Sequence, residues 1–541
     1  MQLIRHAKQH LNIWAILSLV FVAVILFPNL LIGFKFFTEP NENWEHIKFY
    51  LMRDYINNTA TILIFTAILT ILIGTSLAWL IIMYEFPLRG FFRWGLILPL
   101  AIPPYIGAYT YHGLLNYTGV IQTTLRNTFD IQVNQSYFNI MSTQGAVFIF
   151  TLFLYPYVYT ITKSFFQYQS ASLIENAILL GSSPTSTFFR VALPLSRATI
   201  VGSVTLVMLE VLNDYGVVSY FGIQTFSTAI FRTWYGMKDL DSALKLAGTL
   251  MFIVIVVLIL EKMLRGRKRY SYASTKVRPI HPKRLKGWKG WLLFAYSFAI
   301  FSIAFLVPLA QLLYWAFMTY ETIWSQAFFQ LAKNSIFVAS ITSTIIISIA
   351  LIIANFTRMH QSLFTKLVSR VTTLGYSIPG AAIAIAIITI FISIDTFLAK
   401  WDTGIVLRTS LVMLISAYVI RFLAIGYNSV EAGFEKIGNT FTEASRLLGA
   451  STIRTFFMVD LPLMKNAIAA GFILVFVDIL KELPLTLFLQ PFNFATLATQ
   501  AFKYANDERV QEASIASLLI ILISATAIFI FHRVLEKKEA N

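Results

Sequence analysis

Four carboxylates recur at one spacing in two distant apolar stretches: Glu210 with Asp214, and Asp478 with Glu482. Four residues make about one helical turn, so each pair shares a helix face. Ionisable groups at membrane depth are costly and usually face a bundle interior or an aqueous path. Carboxylates along such a path suit a cationic cargo, without separating a metal ion from an organic cation. Lys481 sits among them, and the same acids could instead pair with it, cap irregular helix ends, or lie at the interface near Pro484. The residues alone leave both readings, path and structural pairing, open.

No catalytic constellation accompanies these acids. The chain has no cysteine, which excludes disulfides and thiolate metal sites. Its seven histidines, His6, His10, His46, His112, His281, His360 and His532, lack ligand spacing, so no stable metal site is expected. There is no phosphate-binding loop, no HExxH and no Ser/His pairing in the apolar stretches. An enzyme is therefore not expected, nor is a bound cofactor.

The elements that position the acids are membrane spans. Of 541 residues, 57% are hydrophobic and only 13% charged, with a mean hydropathy of +0.70; soluble domains carry about 25% charged residues. Uncharged runs such as 56–84, 292–318 and 336–356 exceed the roughly 20 residues that cross a bilayer core. Spans are expected near 12–34, 57–83, 94–116, 143–163, 196–222 and 246–264, then 291–318, 334–357, 371–396, 404–428, 464–490 and 512–533. The fold class is thus an all-α membrane protein of about twelve transmembrane helices. The first span follows Arg5 and Lys8 like a signal peptide, but is too long and has no small-residue cleavage site, so it reads as an anchor.

The formal charge of +16 owes much to eleven basic residues between Lys262 and Lys289. This segment reads as a cytoplasmic linker at 265–290. Its basic residues fix topology by the positive-inside rule, and a contact with anionic membrane lipids is the lesser reading. With the charge so placed, nucleic acid is not expected as a partner. Both termini then fall on the cytoplasmic side.

The chain contains a duplication. Residues 175–195, ENAILLGSSPTSTFFRVALPL, align without gaps on 443–463, EASRLLGASTIRTFFMVDLPL, with 12 identities in 21 positions at an offset of 443 − 175 = 268. The same offset pairs Glu210 with Asp478 and Asp214 with Glu482, and an offset of 276 pairs Ile102-Pro103 with Ile378-Pro379. The halves, 1–264 and 291–541, are therefore tandem six-helix units in one orientation. Pro103-Pro104 and Pro379-Gly380 should break or kink the third span of each half. A static kink is the commoner outcome of such a proline, and a gate or hinge is the functional alternative.

The repeated loops lie at about 164–195 and 429–463. Ser172-x-x-Glu175 and Thr440-x-x-Glu443 fit capping boxes, and Gly181 and Gly449 fit left-handed caps, so each loop should hold a two-turn helix. Its apolar residues are Ala177, Leu179 and Leu180 in one copy and Ala444, Leu447 and Leu448 in the other. Helices this short are marginal alone. A pair of them in matching loops suits a dimeric partner with a groove for a small helix.

The pattern Glu175, Gly181, Leu193-Pro194 and its copy Glu443, Gly449, Leu461-Pro462 resembles the EAA loop of ATP-binding-cassette importer permeases. Asn176 and Ser445 stand where that pattern usually has Ala, and Val191 and Val459 where it usually has Ile. The resemblance covers nearly the whole chain, as two permease units fused in one polypeptide. It implies Glu175, Ala177, Gly181, Pro194, Glu443, Ala444, Gly449 and Pro462 as the residues that couple to a cytoplasmic ATP-binding subunit. It further implies an extracytoplasmic substrate-binding protein as partner and the bacterial inner membrane as location. Residues 478–508 and 213–235 resemble the fused permeases of ferric-iron importers, with thiamine and phosphonate importers as related alternatives. On that reading Glu210, Asp214, Asp478, Lys481 and Glu482 line the translocation path, and Pro103, Pro104 and Pro379 mark its helix breaks. An ion-gradient-driven transporter is the alternative of a different class, and it leaves the duplicated loop without a role.

Overall fold

The computed structural model describes residues 13–131, 133–168, 176–177, 179–265, 282–285, 287–359, 362–402 and 404–539. Ten of its helices are long and apolar enough to cross a membrane, or twelve if each of two bent pairs counts as one span. In the first half the principal helices are α1 Ile13–Phe36, α2 Met52–Met83, α3 Pro104–Leu115, α4 Thr143–Tyr168, α5 Leu193–Asn213 and α6 Leu240–Arg265. In the second they are α7 Trp288–Ile323, α8 Gln326–Met359, α9 Gly380–Ala399, α10 Leu411–Ile437, α11 Lys465–Leu480 and α12 Ala513–Glu539. Among the described residues the only strand pairing joins Tyr84–Glu85 to Lys283–Arg284, the latter at the edge of the basic linker. The rest of that linker, 266–281 and 286, lies outside the described residues.

The third and fifth spans of each half are not continuous. Pro103 and Pro379 hold extended backbone (φ −56°, ψ 140° and φ −58°, ψ 139°), and a new helix begins at the next residue. The segments before and after Pro103 are bent by 91°. Proline lacks the amide that would continue the preceding helix, which accounts for the break. The fifth spans stop at Asn213 and Leu480, and short helices Gly216–Tyr220 and Pro484–Leu489 follow. A further 73° bend falls between Thr452–Leu463 and α11, after Pro462.

The chain folds into two compact units that are not the two sequence halves. One comprises residues 1–46, 230–251 and 324–500; the other comprises 47–229, 252–323 and 501–541. In the first unit α1 packs on α8, α9 and the short helix Leu363–Leu374. Its buried residues Ala15, Ser18, Val22, Ile25 and Ile32 form one stripe, while Ile16, Val20, Val24 and Phe27 stay exposed, as expected of a helix with lipid on its other side. The bundle of α8, α10 and α11 is close-packed: a methyl group at Gly426 of α10 would stand 2.7 Å from Ile346 of α8. In the second unit α2 lies along α4 so closely that a methyl group at Gly74 would meet Val158 at 2.7 Å. There Tyr155 donates to the Leu96 carbonyl at 3.1 Å and Lys163 to the Arg93 carbonyl at 2.8 Å, satisfying backbone freed ahead of the Pro103 break. Helix α12 packs on the turn Leu98–Ala101 and on α7, and Ser517 shares a hydrogen bond with Tyr109 of α3.

Candidate functional site: the duplicated loop and the acids behind it

The second copy of the repeated loop is fully described. Helix α10 ends at Gly438, whose φ of 71° only glycine adopts without strain. A helix then runs Thr440–Leu447 and closes at Gly449 (φ 86°). The Ala450 amide reaches back to the Ser445 carbonyl at 3.2 Å and the Gly449 amide to Arg446 at 3.0 Å, the paired bonds of a Schellman end. Ser451 then caps the turn Thr452–Thr455 by accepting from the Arg454 amide at 3.2 Å, and a π-helical turn, Phe456–Asp460, leads into Leu461-Pro462.

The first copy repeats this bond for bond where it is described. The Ser182 amide reaches the Ala177 carbonyl at 3.0 Å and Gly181 has φ 85°. Ser183 accepts from the Ser186 amide at 3.2 Å, and a π-helical turn Phe188–Ala192 precedes Leu193-Pro194. Glu175 and Ser172 lie outside the described residues, so their capping box and the role of Glu175 have no geometry here.

In the second copy the expected capping box does not form. Asn439, not Thr440, occupies the cap position, in helical conformation and without a side-chain cap bond, and Thr440 is already the first helical residue. The helix is held from its flank instead. Thr442 donates to Asp460 at 2.7 Å, Ser445 and Thr455 share a hydrogen bond of 3.0 Å, and Asp460 is paired with Arg358 of α8 at 3.0 Å. Ala192 stands at the position matching Asp460, so the clamp has no counterpart in the first half.

Both loops leave leucine in the open. Leu447 and Leu448 are 89% and 90% exposed, and Leu179 and Leu180 are 82% and 88% exposed. The Thr440–Leu447 helix buries none of its residues. Each leucine left uncovered forgoes about 2 kcal/mol of burial, so this surface fits a partner better than it fits water.

The acids behind the loops take structural partners. Asp478 pairs with Lys481 at 2.7 Å. Glu482 accepts from the Leu485 amide at 3.1 Å, holding the start of the Pro484–Leu489 helix, and Asp214 does the same for the Val217 amide at 2.8 Å. Glu210 is half-buried one turn earlier, and its carbonyl accepts from the Asp214 amide at 3.0 Å. Sequence reasoning missed Arg421 of α10, 4% exposed, whose Nε lies 3.8 Å from the 7% exposed Glu482 and whose Nη1 donates to the Ile378 carbonyl at 3.1 Å. A lone arginine in an apolar run was the available signal. The Pro379 break and Glu482 are thereby tied through one buried guanidinium. Among the described residues no three His, Asp or Glu side chains gather as a metal site.

At the junction of α1 and α6, the Asp239 carboxylate accepts from Asn41 and Asn43 at 2.8 and 2.9 Å and from Ser242. Partial burial pushes this carboxyl up, but the combined hydrogen bonds from Ser242, Asn43 and Asn41 hold it below the usual carboxylate range.

Comparison with known proteins decides what kind of molecule carries these loops. The family described as binding-protein-dependent transport system inner membrane component matches residues 70–261 and again 346–541. The chain belongs to this family. As an inner membrane component with two copies of the family domain, it carries one repeated loop in each copy. It is 26% identical over 486 residues to the Fe(3+)-transport system permease protein FbpB 2 of Haemophilus influenzae, covering 89% of this chain and 90% of that one. It is 22% identical to the ferric transport system permease protein FbpB of Actinobacillus pleuropneumoniae, covering 80% of this chain and 64% of the relative. Among solved structures, a bacterial ABC transporter involved in the import of the acidic polysaccharide alginate matches 46% of this chain at 17% identity, with a TM-score of 0.39.

Proposed function

We propose that this transport component is the fused permease of an ATP-driven importer for ferric iron. In this reading the Thr440–Leu447 helix and its copy before Gly181 dock into the two halves of a dimeric cytoplasmic ATP-binding subunit. Glu175, Ala177, Gly181 and Pro194, with Glu443, Ala444, Gly449 and Pro462, form the coupling elements. The observation that carries it is the pair of duplicated loop ends with uncovered leucines, Leu179-Leu180 and Leu447-Leu448, the latter closing the Thr440–Leu447 helix. Two matching sockets suit two matching plugs, and a helix of the length of Thr440–Leu447 is marginal without a socket.

Iron as cargo rests on the two ferric relatives. It agrees with the acids at 210, 214, 478 and 482, although the contacts of Asp214, Asp478 and Glu482 favour a positioning role for those three. An extracytoplasmic binding protein would deliver the ion, and both termini would lie in the cytoplasm of a bacterium. The breaks at Pro103-Pro104 and Pro379 are static kinks in this reading, with a hinge as the functional alternative. Radiolabelled uptake by a strain lacking this gene tests the cargo: loss of iron uptake with intact thiamine uptake supports it, and the reverse pattern overturns it.

A further inference from the structure

A cavity of about 580 Å³ opens in the unit formed largely by the second half, between the ends of α8 and α10 and the helix Leu363–Leu374. Two rows of opposite charge line it: Lys366 and Arg370, one turn apart, and Glu431 and Glu435, one turn apart on α10. Among the described residues no ion pair joins the rows. Glu431 accepts from the Tyr427 hydroxyl at 2.9 Å, which orients it without neutralising it. Rows of four formal charges kept apart across a cleft fit a ligand that carries both signs itself.

The helix that bears the cations indicates where such a ligand resides. A capping box between Ser362 and Thr365 fixes its start, and it buries Thr365, Val368 and Thr372. Leu363, Phe364, Leu367 and Leu374 are exposed on its other side, flanked by Lys366 and Arg370. An uncovered apolar face bordered by long basic side chains is the pattern of a helix lying in a membrane surface, where basic stems reach headgroups. The feature belongs to one half only. By the offset of 276 the first half has Gly90 and Trp94 in place of Lys366 and Arg370, and by 268 it has Lys163 and Gln167 in place of Glu431 and Glu435.

We propose that this cavity binds the headgroup of a zwitterionic membrane lipid of the phosphatidylethanolamine type, with phosphate against Lys366 and Arg370 and ammonium against Glu431 and Glu435. The occupant would sit on Arg358, which lines the cavity, stacks on Phe434 at 4.2 Å and holds Asp460, the residue that takes the Thr442 hydroxyl of the repeated loop. A bound lipid therefore stiffens the second loop and not the first. The inference does not depend on the transported cargo.

The test is native mass spectrometry of the full purified chain, equilibrated with phosphatidylethanolamine, phosphatidylcholine and phosphatidylglycerol of equal acyl chains. Choline offers no N–H donor, so the wild type should retain the ethanolamine lipid over the choline lipid by about tenfold. Glu431→Gln/Glu435→Gln should bring that ratio near one, whereas Lys366→Gln/Arg370→Gln, which removes the phosphate contact common to both lipids, should lower retention of both by about tenfold and leave their ratio nearly unchanged. Equal retention by the wild type, an unchanged ratio in Glu431→Gln/Glu435→Gln, undiminished retention in Lys366→Gln/Arg370→Gln, or preference for phosphatidylglycerol would overturn the proposal. Displacement of the lipid by free phosphoethanolamine at matching concentration would assign the cavity to a soluble zwitterion and overturn the lipid assignment.

Discussion

Replacing Arg421 by methionine tests whether Glu482 belongs to a structural pair or to the transport path. Both side chains are under a tenth exposed, and the guanidinium also carries the Ile378 carbonyl left by the Pro379 break. Removing one partner of a buried pair costs about 3–5 kcal/mol, because the other charge stays buried. The separation of 3.8 Å is longer than a hydrogen bond, and Arg421 Nε has no acceptor among the described residues, so the lower end applies, about 3 kcal/mol. Glu482→Gln keeps an oxygen for the Leu485 amide but strands the buried guanidinium, so it too should cost about 3 kcal/mol. The double variant should recover at least about 1.5 kcal/mol of the summed loss, since neither charge is then stranded. Unfolding of the purified chain in mixed micelles, with the four variants as a double-mutant cycle, measures this. Additivity within about 0.5 kcal/mol would refute the pairing. Glu482 would then be assigned to the path and not to the pair.

Further outcomes follow from the loops and the α1–α6 junction. Leu447→Glu with Leu448→Glu should abolish uptake while changing the unfolding midpoint little, because both side chains are open in the isolated chain; uptake near wild type would count against a docked partner. Gly449→Ala forces an L-residue to φ 86° and should cost about 1–2 kcal/mol in the helix end, read as faster amide exchange at Ser445–Ala450 and weaker binding of the ATPase, whereas unaltered exchange would contradict the assigned cap. Asp239 has a folded-state pKa depressed below its ordinary 3.8, so its contribution is present above that value and is lost as pH falls through the folded pKa. Amide protection at the start of α6 should therefore drop in acid below about pH 4, and Asp239→Asn should flatten the dependence. Equal acid sensitivity in that variant would reject the role of Asp239.

The duplication, the apolar spans and the glycine ends of the loops were legible because each depends on local sequence: proline lacks an amide, and glycine alone tolerates φ near 86°. Which segments gather in each compact unit was not, because hydropathy finds α1 without saying which surface its Ala15–Ile32 stripe covers. The capping box failed for a related reason. Thr440 and Glu443 have the right spacing, but Gly438 turns the chain so that the helix begins one residue early, and Asp460, 18 residues beyond Thr442, supplies the tertiary hold that spacing cannot reveal. Arg421 was hidden by its apolar neighbours, and its partners lie 43 and 61 residues away (421 − 378 and 482 − 421).

If the duplicated loops transmit ATP hydrolysis to a path for ferric iron, transport must fail when they cannot dock. Uptake of radiolabelled ferric ion into proteoliposomes holding this chain, its ATP-binding subunit and its binding protein tests it directly. The account predicts uptake that requires ATP, persists when the proton gradient is collapsed, and vanishes in the Leu179→Glu/Leu180→Glu/Leu447→Glu/Leu448→Glu variant. Uptake driven by a proton gradient without ATP, or undiminished in that variant, would contradict it.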